Sequence, residues 1–321
     1  MNLIKLFAIT TLAALLSTAI IACALPNTET QDINNDIPGT PPPLPDWRQE
    51  IESGGEMYAD LRYKIEDGAI IIIRYEGEGG MVSIPPEIEE MPVTTIGIHA
   101  FREIKLTGVV IPDSVTSIGA CAFYGNQLAS VIIPDSVTSI GACAFYGNQL
   151  TSVVIPDSVT SIGKGAFQDN MLTEVIIPEN IETIGDGAFR KNQLASVVIP
   201  DSVRSIGEYA FADNMLIEVA IPEGITYLEN SVFRNNKLTN IIIPGSVIYI
   251  GIAVFDFEQI TCISIGANVN INGFNIKIID VYDFTETDYL DLSFKNAYDN
   301  GGKQAGTYTR PDTSSHVWTR Q

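Results

Sequence analysis

The chain has 321 residues, of which 45% are apolar, and its formal net charge is −21. This length is ample for a large hydrophobic core. The acidic balance argues against nucleic-acid binding, which needs clustered lysine and arginine, and it disfavours adhesion to an anionic membrane face.

The N-terminus has the features of an export signal. Residues 1–22 carry one lysine, Lys5, followed by an apolar run that ends in small residues. The stretch IIAC at 20–23 resembles the lipobox of bacterial lipoproteins. This resemblance implies cleavage before Cys23 and a diacylglycerol on its sulfur, so that the lipid is the only contact with a membrane. The alternative is ordinary signal cleavage beside a cysteine that carries no lipid.

Two segments separate the signal from the rest of the chain. Residues 23–46 are polar and proline-rich, and they predict a disordered tether because they cannot bury a core. Residues 47–83 contain Asp67-Gly68 between runs rich in tyrosine and isoleucine, which indicates a β-hairpin. We expect this segment to be an N-terminal cap, since the end of a stack of repeats must be covered.

Segment 84–270 repeats every 22 residues, and IPDSVTSIGACAFYGNQL occurs twice, starting at Ile111 and at Ile133. The pattern is N-x-L-x-x-V-x-I-P-x-x-V-x-x-I-G-x-x-A-F. Such a period predicts a solenoid of about eight stacked coils. A glycine column runs from Gly97 to Gly251 with one break, at Glu229. The phenylalanine column comprises Phe101, Phe123, Phe145, Phe167, Phe189, Phe211, Phe233 and Phe255.

One coil can be followed residue by residue. Alternation predicts a short parallel strand whose inward residues are Leu150, Val153 and Ile155, with Ser152 and Val154 pointing outward. A proline ends this strand, because it has no N–H for the ladder.

The rest of the coil returns to the core. Val159 and Ile162 are expected to be buried again, Gly163 permits a turn, and Ala166 and Phe167 fill the far side. The asparagine column follows, and we expect it to be structural, with each amide satisfying turn backbone groups of adjacent coils. Its members are Asn126, Asn148, Asn170, Asn192, Asn214 and Asn236.

These repeats resemble the BspA-like, treponemal-type leucine-rich-repeat proteins of bacteria. The resemblance is carried by LTSVVIPDSVTSIGKGAFQDN (150–170) and its sister coils, and by the flanks GGMVSIPPEIEEMPVTTIGIHAF and NAYDNGGKQAGTYTRPDTSSHVWT. It covers about residues 50–319. The family commonly has cysteine where Asn126 and its equivalents stand, so this chain is an asparagine variant.

The resemblance implies a fold and a role. The fold is a β-rich leucine-rich-repeat solenoid, a parallel sheet of 22-residue coils with a β-hairpin N-terminal cap and a small α+β C-terminal cap. The role is that of a surface-exposed bacterial protein, often an adhesin for host matrix proteins or other bacteria, without catalytic residues.

Strand alternation places one apolar residue of each coil on the sheet surface, the concave face of a leucine-rich-repeat arc. A contiguous apolar stripe with a polar border is typical of interaction sites. The alternative is that valine and isoleucine are there because they suit strands. The stripe comprises Val110, Ile132, Val154, Ile176, Val198, Ala220 and Ile242, and its polar rim comprises Ser130, Ser152, Glu174, Ser196, Glu218 and Asn240.

An acidic column follows the repeat prolines. Like charges about 4.8 Å apart repel by roughly 0.8 kcal/mol in water. Bound Ca²⁺ would relieve this repulsion, since it prefers carboxylate oxygens. The alternative is that an acidic residue after proline makes a good solvated turn. The column comprises Asp113, Asp135, Asp157, Glu179, Asp201 and Glu223.

Cys121 and Cys143 occupy the same slot in neighbouring coils. Their spacing fits a disulfide, but side chains in parallel register aim alongside each other, so we expect free thiols that fill the coil, with the disulfide as the alternative. The two histidines, His99 and His316, do not stand in a ligand cluster, and zinc is unsupported. No cofactor is indicated.

The C-terminal segment, 271–321, leaves the period and is expected to be a cap. Leu290, Phe294 and Tyr298 are spaced by four, which predicts a short helix that ends at Gly301. The stretches AGTYTR and HVWTR could pair as a hairpin. The alternative is that four residues of this segment contribute to binding, namely Tyr308, Trp318, Arg310 and Arg320.

The sequence therefore predicts an extracytoplasmic, lipid-anchored adhesin at the bacterial cell surface. Its expected partners are host matrix or bacterial surface proteins, or glycans. Two alternatives stay open: a β-helix-like polysaccharide-degrading enzyme, and a purely structural surface-layer protein. The enzyme would need acids and bases gathered on one stretch of coils, whereas the outward positions hold mostly serine, threonine and aspartate.

Overall fold

A computed structural model describes residues 55–255, 259–267, 269, 294, 297–312, 314–315 and 317–321. The predicted signal, the tether with Cys23 and parts of both predicted caps lie outside the described residues. The chain divides into two units, Met1–Gly55 and Glu56–Gln321, and the strands given below belong to the second.

The regular secondary structure of the described residues consists almost entirely of short β-strands, joined by turns. In chain order they are β1 (Glu56–Tyr58), β2 (Leu61–Glu66), β3 (Ala69–Tyr75), β4 (Gly80–Ser83), β5 (Glu87–Ile88), β6 (Met91–Ile96), β7 (Leu106–Val110), β8 (Ser117–Ile118), β9 (Ser139–Ile140), β10 (Ser152–Val154), β11 (Ser161–Ile162), β12 (Glu174–Ile176), β13 (Thr183–Ile184), β14 (Ser205–Ile206), β15 (Glu218–Ala220), β16 (Tyr227–Leu228), β17 (Asn240–Ile243), β18 (Tyr249–Ile250), β19 (Cys262–Ile265), β20 (Gly306–Thr309) and β21 (Thr319–Arg320).

The predicted N-terminal hairpin is present. Strands β2 and β3 pair antiparallel around the two-residue loop Asp67-Gly68, and both loop residues have positive φ, 50° and 75°. A tight hairpin turn of this kind matches the twist of the flanking strands. Strand β3 then pairs parallel with β6, so the hairpin continues the sheet formed by the repeats.

The predicted strand register is confirmed. Strand β10 pairs parallel with β12, with Val153 opposite Val175, a displacement of one 22-residue coil. Leu150, Val153 and Ile155 are buried. Stacked parallel strands 22 residues apart make the described chain a β-solenoid, as the sequence predicts.

A second ladder of strands, which the repeat pattern did not predict, runs through more coils than the first. The two-residue strands β8, β9, β11, β13 and β14 continue the sheet from β6 without interruption. Ile162, opposite Ile184 in this ladder, is fully buried.

The strands that carry the outward apolar residues do not form one continuous ladder. They form the separate pairings β4–β7, β10–β12 and β15–β17–β19. The coils at 128–133 and 194–199 lie outside strands. These are the two coils in which alanine, a weaker strand former than threonine or isoleucine, follows the repeat leucine, at Ala129 and Ala195.

The glycine column has a different role from the one expected. The left-handed residue of the turn is Gly165 (φ 59°), two positions after Gly163. A Cβ on Gly163 would instead lie 2.6 Å from the carbonyl carbon of Gly141 in the preceding coil. The column therefore permits the close approach of adjacent coils.

Phenylalanine rings form a continuous stack through the core. From Phe101 to Phe255 successive ring centroids lie 5.2–5.8 Å apart, with near-parallel planes. Tyr75 adds a ring 5.6 Å from Phe101, which extends the stack into the N-terminal hairpin. Phe167, in the middle, is fully buried.

The asparagine column links each coil to the preceding one, as predicted. Asn170 Nδ2 donates to the carbonyl oxygens of Phe145 (2.9 Å) and Phe167 (3.1 Å). Its Oδ1 accepts from the backbone N–H of Leu150 at 3.1 Å. The same three partners recur at Asn126, Asn148, Asn192, Asn214 and Asn236.

The C-terminal segment docks on the last coil. Residue 294 and residues 297–300 are helical, and the helix ends at Gly301 and Gly302, the second of which has φ 73°. The predicted hairpin between β20 and β21 is present, and β20 also pairs antiparallel with β19. Leu290 and His316 lie outside the described residues.

Candidate binding face

The apolar stripe is presented to solvent by the strand side of the coils. We call it the apolar column and define it as Val110, Ile132, Val154, Ile176, Val198, Ala220 and Ile242. Ile132 is 84% exposed, Val110 and Val154 are each 52% exposed and Val198 is 42% exposed. The other three members are half-buried. The outward orientation is as predicted, while a role in binding stays a prediction.

Alternation along each strand explains this exposure. Val153 and Ile155 point into the core on either side of Val154 and are buried, so Val154 must point outward. In the sheet register Val154 lies opposite Ile176, and Ala220 opposite Ile242. The column begins after Ser83, the partner of Val110, and ends before Ser264, the partner of Ile242.

A mostly uncharged polar rim borders the apolar column on one side, and the acidic column follows it on the other. The rim residue of each coil stands two positions before the column residue. Ser152 and Glu174 are exposed members of this rim, and Glu218 is half-buried. The acidic column three residues after it is exposed at all six predicted positions. Exposed carboxylates therefore follow the apolar column from Val110 to Ala220.

The geometry gives no support for calcium in the acidic column. Over the residues that the structure describes, no three histidine, cysteine, aspartate or glutamate side chains come together as a metal site. Exposed carboxylates that each project from a separate turn are consistent with the alternative of solvated turns.

The second ladder carries hydroxyl groups that the sequence analysis left unassigned. Ser117 and Ser139 hydrogen-bond to each other through their hydroxyls at 3.0 Å. Thr116 and Thr138 each donate to the backbone carbonyl of the preceding coil. The repeated V-T-S-I stretch was the available signal, and these bonds give it a structural role between coils.

Cys121 and Cys143 are free thiols in this structure. A hydrogen bond from the Cys121 thiol to the Cys143 sulfur raises the pKa of Cys121 and lowers the pKa of Cys143 to about 7. The Lys164 ammonium adds to the lowering at Cys143. Both residues adopt left-handed backbone conformations, with φ of 53° and 54°.

Three of the four C-terminal residues with a possible binding role, Tyr308, Arg310 and Trp318, are buried in the cap, which argues against that role for them. Tyr308 and Trp318 are buried against Phe294 with edge-on ring contacts at 5.7 and 5.2 Å. Arg310 is also buried, and its Nε donates to the carbonyl oxygen of Ile260 at 2.7 Å. Arg320 is exposed but bonds the backbone of Ala305.

Within the described residues, none of the helical segments combines the length and apolar content needed to cross a membrane.

A family model supports the fold and its repeat unit. The model for the BspA type leucine-rich repeat region matches residues 94–217 and 183–298, in 6 copies. No match is found among curated proteins.

Several solved bacterial structures are similar. A leucine-rich repeat protein from Bacteroides ovatus is 28% identical, with a TM-score of 0.54, over 67% of this chain and 66% of that chain. The chain thus spans just under two thirds of that protein. The T. pallidum leucine-rich repeat protein is 28% identical over 62% of this chain and 82% of its own (TM-score 0.40). A leucine-rich cell surface protein from Faecalibacterium prausnitzii is 23% identical over 66% and 76% (TM-score 0.45).

Proposed function

The chain belongs to the BspA-type leucine-rich-repeat family, and from this premise we propose that it is a surface-exposed lipoprotein that acts as an adhesin. Its partner is a protein, and the apolar column is the contact surface. The leucine-rich-repeat fold is typical of protein-binding surface proteins, because stacked coils present an extended surface.

The observation that carries this proposal is the apolar column itself. Seven apolar residues in consecutive coils, at about 4.8 Å per coil, make a stripe of roughly 30 Å. Ile132, at 84% exposed, is the most exposed member of the column. An apolar stripe with polar borders favours a protein partner over a glycan, since sugar hydroxyls need polar partners.

The test is the double substitution Ile132→Lys with Val154→Lys. Both side chains are exposed, so melting should change little. Binding should weaken at least about tenfold, because two ammonium groups would be desolvated at the centre of an apolar contact. The measurement is binding of the full-length chain to an array of matrix proteins, bacterial surface proteins and glycans.

A matched control uses exposed apolar residues away from the column. Met171 and Met215 are 46% and 44% exposed and stand between the repeat asparagine and leucine. Met171→Lys with Met215→Lys adds the same charge and should leave binding unchanged. Equal losses in both variants, or full binding by the first, would refute a contact through the apolar column.

The lipid anchor is a separate part of the proposal, supported by the lipobox-like sequence ending at Cys23. We expect the protein to partition with membranes and to incorporate labelled fatty acid. Cys23→Ala should abolish both, because the acyl chains are the only membrane-binding element we propose. Unchanged labelling in Cys23→Ala would show that the lipoprotein assignment is wrong.

A further inference from the structure

Charge is unevenly distributed around each coil. We divide each coil between residues 106 and 250 into two arcs. The strand arc runs from the repeat leucine to the buried residue of the second ladder, as in 106–118. The turn arc is the remainder of the coil, as in 119–127. The strand arcs contain a single cation, Arg204, and these carboxylates: Asp113, Asp135, Asp157, Glu174, Glu179, Glu182, Asp201, Glu218 and Glu223.

The turn arcs are balanced. They contain Lys164, Arg190, Lys191, Arg234 and Lys237 against Asp169, Asp186, Glu208, Asp213 and Glu229. Some of these charges pair directly, since Arg190 Nε lies 2.8 Å from Asp213 and Lys164 Nζ lies 3.4 Å from Asp186. The excess of negative charge in these coils is therefore confined to the strand arcs, which include the apolar column.

The single cation of the strand arcs is already engaged locally. The Arg204 guanidinium donates to the backbone carbonyl oxygens of Asp201 and Val203. The carboxylates of the acidic column are exposed and lie three residues, about 10 Å of extended chain, from the apolar column. They flank that column in arcs whose one cation is Arg204.

We propose that the occupant of the apolar column is a cationic protein segment, with apolar side chains that cover the column and lysine or arginine side chains that reach the flanking carboxylates. This inference rests on the proposed function and adds the charge of the partner to it. Opposite charge at the border of an apolar contact speeds association and selects the partner.

The same charge pattern disfavours anionic occupants. A sulfated glycan or an acidic protein would bring like charges against the acidic column, and this repulsion would weaken its binding. A neutral apolar segment would bind the column without any dependence on the acidic residues.

The experiment uses three synthetic 14-residue peptides as probes of the full-length chain: alternating valine and lysine, alternating valine and glutamate, and alternating serine and lysine. Affinity is measured at 50 and 300 mM NaCl. We expect the valine–lysine peptide to bind, with an affinity that falls at high salt. The other two should bind at least about tenfold more weakly, one for its charge and one for its missing apolar surface.

Two matched variants separate a local effect from net charge. Asp135→Asn with Glu179→Gln removes two carboxylates of the acidic column, and Asp169→Asn with Glu229→Gln removes two exposed carboxylates of the turn arcs. The first should weaken valine–lysine binding about three- to tenfold at 50 mM NaCl, as expected for rim charges. The second should leave it within about twofold.

The outcomes distinguish this inference from the proposed function. Equal weakening in both variants, or equal binding of the valine–glutamate peptide or a sulfated glycan, overturns the cationic occupant. The apolar column still stands as a binding face if Ile132→Lys with Val154→Lys abolishes that binding. If that double substitution changes no measured binding, the proposed function fails as well.

Discussion

At the scale of single residues, each coil depends on two left-handed positions. One is the slot of Cys121 and Cys143, and the other is the residue directly before the repeat asparagine, such as Asp169 (φ 59°). A non-glycine residue at positive φ costs about 1 kcal/mol, so packing around the slot must offset that cost. The sequence indicated a left-handed conformation at the first slot, since Gly165 and Gly187 occupy it in the next two coils.

The same slot makes the two cysteines chemically unequal. Because the pKa of Cys143 is lowered to about 7 and that of Cys121 is raised, Cys143 should be about half thiolate at neutral pH while Cys121 stays protonated. The thiolate is the reactive form. We expect iodoacetamide to label Cys143 before Cys121, at a rate that rises as the pH increases through about 7; mass spectrometry of labelled peptides measures this.

The Cys121→Ala variant is the control for this pKa shift. It removes the hydrogen bond from the Cys121 thiol, the first cause of the lowering, so the midpoint for Cys143 should move upward toward that of an ordinary thiol. A midpoint that is already ordinary in the unaltered protein would contradict the hydrogen bond between the two sulfurs.

At the scale of elements, period and alternation predicted the strands that are long enough to alternate. Leu150, Val153 and Ile155 define a face by themselves. The second ladder could not be recognised in this way, because the strand Ser161–Ile162 has only two residues and no alternation. The second ladder is continuous because the coils stack in register, and the residue pattern within one coil does not reveal that stacking.

The break in the glycine column explains an interruption in that second ladder. The sheet stops at β14, and β16 pairs only with β18. Glu229 directly follows β16 and stands where the other coils have glycine. A Cβ at the equivalent Gly207 would lie 2.4 Å from the backbone nitrogen of Asp186. A coil with glutamate at this position cannot approach its neighbour as closely, so the ladder opens.

Glu229→Gly should therefore close the gap between β14 and β16. Restored ladder hydrogen bonds at about 1 kcal/mol each should outweigh the entropy of one added glycine, which costs about 0.5–1 kcal/mol. We expect a higher melting temperature and slower amide exchange at residues 226–229. Gly163→Ala should do the reverse. Lower stability of Glu229→Gly, with no gain in exchange protection, would refute the role of the Cβ.

At the scale of the whole molecule, the sequence predicted that the apolar column faces outward, but it did not predict that the C-terminal aromatic residues are buried. The apolar column follows from alternation within one coil. The aromatic residues of the C-terminal segment were open to a binding role because their burial depends on the docking of β20 against β19. Tyr308 lies opposite Ile263, 45 positions earlier in the chain, and no local pattern specifies that contact.

The uneven charge also bears on the stability of the solenoid. Carboxylates of neighbouring strand arcs repel one another, and the distance over which exposed charges interact shortens as salt is added, from about 30 Å at 0.01 M to about 10 Å at 0.1 M. Raising NaCl from 20 to 300 mM should therefore raise the melting temperature by about 2–5 °C, as a gain of roughly 1 kcal/mol would. Asp135→Asn with Glu179→Gln should reduce this salt dependence, and calcium and magnesium at equal concentration should act equally. A larger shift with calcium than with magnesium would instead show that the acidic column binds Ca²⁺. A melting temperature that does not depend on salt would show that repulsion between the strand arcs does not affect stability.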